Sequence, residues 1–135
     1  MEFALGFPLV FLILAGTFQF GYSFYIFNRL ETTVRGAARF GTMYPYSASN
    51  GSLSTSYITA VKNYAVTGNP AASTPPIVPG LTTDNVEVAV STVNGLPYRV
   101  RVTITNFQIN AIFQTFTISG RPYASFRYAG RIAAL

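Results

Sequence analysis

From Phe3 to Phe27 the chain carries no charged residue, with Glu2 just before the run and Asn28-Arg29 closing it. As a helix rising ~1.5 Å per residue this stretch is roughly 38 Å long, more than the ~30 Å hydrocarbon core of a bilayer. Helix is the form it takes in lipid, because a helix pairs its own backbone and a lone strand does not. After Arg29, the residues Leu30, Val34, Ala37 and Ala38 extend an apolar stripe at spacings of three and four, beside Arg29, Glu31, Arg35 and Arg39. The pattern predicts one helix of about forty residues that starts as a membrane span and ends as an amphipathic stalk. It should stop near Met43, since the residue before Pro45 disfavours helix.

Small and polar residues interrupt the apolar run. Gly6, Gly16 and Gly21, with Ala15 and Ser23, permit close helix contacts, although Gly16 and Gly21 are five apart and not the four of the dimer motif. Glycine is also simply common in membrane helices. Pro8 removes the donor that the Ala4 carbonyl would use, so a kink or loosening is expected between them. Gln19 reads equally as a polar residue tolerated by lipid or as an interhelical hydrogen-bonding group.

The remaining ~90 residues suffice for one small core. A turn-rich loop through Tyr44-Pro45-Tyr46 and SASNGS precedes Ser54, an expected N-cap, and an amphipathic helix to Thr67 closed by Gly68-Asn69-Pro70. Prolines 75, 76 and 79 stiffen the connection that follows. Period two then begins, with Val86, Val88 and Val90 in one strand and Val100, Val102 and Ile104 in the next. A three-residue turn, Asn94-Gly95-Leu96, sets Val90 against Val100, Val88 against Val102 and Val86 against Ile104, and brings Glu87 diagonally near Arg101. Phe107 to Gln114, apolar without clear period, reads as a connection, with a helical turn as the alternative. A third strand, Thr115–Ser119 with Tyr123–Tyr128, should be bent or bulged at Gly120-Arg121-Pro122, with Pro122 favouring a sheet edge. The expected fold is α+β: a helix over 1–43, then a head over 44–135 with a short helix and an antiparallel sheet of about three strands.

Composition narrows the chemistry. Absence of cysteine removes disulfides and thiolate metal sites, and absence of histidine removes the commonest general base and metal ligand. Asp84 and Glu87 are the sole head carboxylates, so no catalytic, metal or cofactor site is expected, and an enzyme is the last reading. Charged residues make up 10% and aromatics 16%, a composition that suits a subunit buried among neighbours. The net charge of +5 comes from scattered basic residues without a run, which argues against nucleic acid and leaves anionic lipid as the electrostatic partner. Arg99 and Arg101 read as a solvated strand face. Arg29, Arg35 and Arg39 follow the apolar run and nothing basic precedes it, which taken alone would put the head in the cytoplasm; a basic leader would reverse this. The run is too long for a secretory h-region and is expected to be retained.

Glu2-Phe3-Ala4-Leu5 with Pro8, then Leu30-Glu31 and Arg35-Gly36-Ala37-Ala38-Arg39, resembles the TadE-like pseudopilins of tight-adherence pilus systems. So do Ile58 to Asn63, the strands at Val86–Val90 and Val100–Ile104, and the closing Thr117–Arg127. The resemblance implies a type IV pilin-like protein with a leader removed by a prepilin peptidase, storage in the bacterial inner membrane, and extraction by pilus assembly machinery into a helical extracellular filament at the cell surface. Glu2 matches the pilin glutamate, which in such proteins usually stands fifth after the cut, whereas it is second here. The residues expected to carry assembly are Glu2, Phe3, Pro8, Gly16, Gln19 and Gly21. Two other readings remain, a minor pseudopilin that primes assembly and a single-pass membrane protein whose head binds a partner without polymerising.

Overall fold

The computed structural model describes residues 2–46, 48–49, 52–111 and 113–130, and the side chains of these except at 2–5, 48, 49 and 52. Helix α1 runs unbroken from Glu2 to Met43, 42 residues or about 63 Å. It contains Pro8 without losing helical assignment, so the expected loosening does not interrupt it. It ends where the sequence places the stop, one residue before the Tyr44-Pro45 pair.

Strands β1 (Ala48–Ser49) and β2 (Ser52–Leu53) pair briefly, and α2 follows over Thr55–Thr67. Helix α2 ends at Gly68, whose left-handed backbone (φ 74°) lets its N–H reach the Tyr64 carbonyl at 2.8 Å, a conformation costly for any residue with a Cβ. Within the proline-rich connection, Thr83–Asn85 forms a single 3₁₀ turn closed by a Thr82/Asn85 capping box. Five strands complete the head: β3 (Val86–Val93), β4 (Leu96–Ile104), β5 (Phe107–Asn110), β6 (Thr115–Ile118) and β7 (Tyr123–Arg127).

An antiparallel sheet of order β3-β4-β7 is covered on one face by α1 and α2. Its inward residues Val86, Val100, Val102, Ile104 and Ala124 meet Leu30, Val34, Ala37 and Ala38 of α1 and Tyr57, Val61 and Ala65 of α2. The stripe foreseen on the second half of α1 is therefore the inner wall of the head, with Leu30, Val34, Ala37 and Ala38 fully buried. Core packing begins at Ile26, so the helix boundary at Met43 is not the boundary of the core.

The hairpin keeps the expected register, Val86 opposite Ile104, Val88 opposite Val102 and Val90 opposite Val100, but not the expected turn. Leu96 pairs with Val93, leaving a two-residue turn, Asn94-Gly95, with φ 52° and 77°. The register shifts between Ser91 and Thr92, so Tyr98 becomes the extra residue of a bulge. That bulge absorbs the one-residue mismatch that a two-residue turn would otherwise impose on every inward valine.

Two further expectations are corrected. Phe107–Gln114 is not a plain connection, because Phe107–Asn110 alternates buried and exposed residues as strand β5. The third strand is not one bent strand either: Thr115–Ile118 pairs with β5, while Tyr123–Arg127 pairs with β4 at the sheet edge. Glu87 and Arg101 make no ion pair among the described residues; the Arg101 guanidinium instead lies 4.8 Å from the centre of the Tyr123 ring.

Candidate functional site

The two halves of α1 have opposite surroundings. Leu30 to Ala38 is embedded in the head, whereas Phe7, Leu9 to Leu14, Phe18, Phe20 and Phe24 all stand more than half exposed, Leu12 and Phe18 at 72%. The segment Gly6–Met43 is long and apolar enough to cross a membrane. Hydroxyls in this half bond within the helix, Thr17 donating to the Ile13 carbonyl and Ser23 to the Gln19 carbonyl, both at 2.9 Å. Their polar atoms thus add little to the cost of an apolar surrounding.

Glu2 and Phe3 sit in the first turn of α1, with their side chains outside the described residues. Pro8 lies exposed on the second turn. A Cβ added at Gly16 or Gly21 would meet no atom of the chain within 4 Å, so nothing in the subunit itself requires glycine at either position. Five residues apart, they point about 140° away from each other around the helix and do not form one face. Gly21 instead floors a shallow groove between Leu14, Phe18 and Tyr25.

Gln19 finds a partner that its sequence neighbourhood does not reveal. It is only 9% exposed, and its Oε1 accepts the N–H of Phe113 at 3.1 Å from the connection between β5 and β6. The β5–β6 hairpin leans back along α1 beneath the head, leaving an open apolar groove between Phe20 and Phe24 on one side and Ile109 and Phe116 on the other. Of the six residues expected to act in assembly, this contact engages Gln19 alone, and it is made within the chain.

Residues 1–39 match the TadE-like protein family. The match covers the exposed half of α1 and most of its buried half, the segments on which the resemblance was most specific. No curated protein and no solved structure matches the chain. The TadE-like match points to a pilus-related subunit with an N-terminal apolar helix, and TadE-like pilins are structural rather than enzymatic. This helix is consistent with membrane anchoring.

At the distal end of α1, four tyrosines cluster around its last turn and the residues that follow. Tyr57 donates to the Gly41 carbonyl at 2.6 Å, and Tyr128 donates to the Tyr44 carbonyl at 3.0 Å while accepting the Tyr46 N–H at 2.9 Å. Burial pushes the Tyr57 phenol well above its ordinary range, reinforced by the nearby Tyr128 and Tyr46; burial likewise raises Tyr128. Tyr44 and Tyr46 pack their rings against Tyr57 in this intramolecular cluster. The outward sheet face carries Arg99, directly opposite Arg127, and both guanidiniums approach the Tyr98 ring, at 5.9 and 5.4 Å. The bulge at Tyr98 makes this shared contact, which strict alternation would have prevented.

Proposed function

We propose that this chain is a non-enzymatic structural subunit of a type IV pilin-like extracellular filament. It is held in the inner membrane by the first half of α1 and then extracted so that these halves pack together as the filament core beneath a shell of heads. One observation carries the reading: half of a single long helix is apolar and exposed over most of its surface, while its other half is built into a folded head. Burying one such side chain is worth about 1.5–3 kcal/mol, so this surface demands either lipid or other copies of itself. The TadE-like match over residues 1–39 favours both in succession.

Glu2 separates a polymerising subunit from a resident membrane protein. At a lipid headgroup a carboxylate can be replaced freely, but in a helical core an unpaired one costs several kcal/mol and must be matched by a neighbour, its N-terminal amine being the candidate. Glu2→Ala and Glu2→Leu are expected to leave insertion and head folding intact while severely reducing the protein recovered in sheared surface filaments. Arg99→Ala, on the outward face, should have little effect. Fractionation into membrane and sheared pools measures this. Normal filament yield from both Glu2 variants removes the role of the carboxylate, and absence of the unaltered chain from the sheared pool contradicts the filament reading itself.

A further inference from the structure

The β5–β6 hairpin is the part of the head that reaches Gln19 and Phe20 on the apolar half of α1. From Val102 to Gly120 it and its flanks contain no charged residue, with Arg101 and Arg121 marking the limits. Its end bears Phe113, 63% exposed, and Phe116, 37% exposed, the latter across a groove from the more exposed Phe20 and Phe24 of the helix. A water-facing loop end has no need of this aromatic cluster and ordinarily carries charge.

Depth along the helix gives the cluster an address. Gln19 is seventeen residues beyond Glu2, about 26 Å of rise, against a hydrocarbon thickness of ~30 Å. With Glu2 at one boundary, Gln19 and the Phe113 bonded to it stand just inside the other. Tyr22 and Tyr25, both exposed, follow one and two turns later, at the level where aromatic residues with a polar tip collect in membrane proteins. Arg29 comes next and its Nη1 donates to the Tyr25 hydroxyl at 2.7 Å, a cation at headgroup height.

The backbone at this end is prepared for the same depth. The Ala111 N–H donates to the Gln114 carbonyl at 3.1 Å and the Phe113 N–H to Gln19, while Asn110 pairs with Thr115 in the ladder. Backbone groups without such partners are what keep ordinary loops out of lipid. The Oε1 of Gln19, a polar side chain within the span, is engaged by the same bond.

We infer that the β5–β6 hairpin is a second membrane contact: in the membrane-held state its phenylalanine end enters the lipid at the acyl–headgroup boundary, clamped to α1 through Gln19. This rests on the membrane-held state proposed above and adds to it a lipid-binding surface on the head. The hairpin would fix the height of the head over the bilayer, and extraction of the subunit would have to remove it from lipid together with the helix.

The sequence has no tryptophan, so single-tryptophan variants report location directly. The full chain, reconstituted at low protein-to-lipid ratio in phosphatidylglycerol/phosphatidylethanolamine vesicles, would be compared as Phe113→Trp, Phe18→Trp and Val93→Trp, with and without brominated acyl chains. Phe18 reports the span and Val93 the far hairpin. The expected result is blue-shifted emission and at least two-fold bromolipid quenching for Phe18→Trp and Phe113→Trp, with neither for Val93→Trp. Quenching at Phe18 but not Phe113 overturns the hairpin contact and leaves the span standing; quenching at neither overturns both. A blue shift at Phe113 without bromolipid quenching marks burial against another copy and also overturns the lipid contact. Phe116→Trp gives the same readout if Phe113→Trp loses the melting transition of the unaltered protein.

Discussion

Tyr57 shows how a single hydroxyl finishes a 42-residue helix. The Gly41 carbonyl would ordinarily accept the N–H of residue 45, but that residue is Pro45 and has none, so the buried phenol of α2 supplies the donor. The neighbouring Thr42 carbonyl is met by the Ala129 N–H at 3.2 Å. Because folding raises the pKa values of Tyr57 and Tyr128 above their unfolded values near 10, the folded state holds these protons more tightly. Their contribution is fully present below about pH 10 and is lost as pH rises beyond it. Thermal unfolding in detergent should therefore show a midpoint that is steady from pH 8 to about 9.5 and falls above. Tyr57→Phe should lower the midpoint at pH 8 by the equivalent of about 1–3 kcal/mol, since a buried carbonyl loses its donor, and should flatten the alkaline fall. The Pro45 stop was legible in the sequence; its compensation by a residue sixteen positions beyond Gly41 was not, because nothing local links them.

Among the elements, the glycines of α1 divide by what surrounds them. A Cβ at Gly41 would come within 3.1 Å of Val100 Cγ1 and 3.2 Å of the Tyr57 hydroxyl, so this position sets how closely α1 approaches α2 and β4. Gly41→Val should destabilise the head by roughly 1–3 kcal/mol, a fall of several degrees or more in melting temperature. Gly21→Leu, facing open space, should leave head melting unchanged; any loss it causes belongs to contacts between subunits and would be read in sheared-filament yield. Pattern served well where it was long: the apolar run, the stripe from Leu30 to Ala38, and the inward valines of β3 and β4 all predicted their elements. It failed where elements were short. Phe107-Gln108-Ile109-Asn110 is only two alternations long, and the bulge at Tyr98 hides inside a strand whose register is otherwise regular. Of the candidate assembly positions, the glycines were legible as small residues in a span, but the Gln19 to Phe113 bond joins residues 94 apart and leaves no trace in either neighbourhood.

For the whole molecule, one helix belongs to two environments. Its second half is locked against α2, β4 and β7, so force or burial applied to the first half is transmitted to the head through a continuous rod rather than a flexible linker. In the function proposed here the apolar half, with glycines that no intramolecular contact requires, is the surface offered to lipid and then to other copies, while the sheet face bearing Arg99, Arg101 and Arg127 points away from the two helices. Electron cryomicroscopy of sheared surface material, with mass spectrometry to identify its protein, tests this arrangement most directly. The account predicts fibres of this chain with the Gly6–Phe24 segments bundled at the axis and the β3-β4-β7 sheets in the outer shell. Fibres built on head-to-head contacts with these segments outside, or a chain found in the membrane and never in fibres, would contradict it.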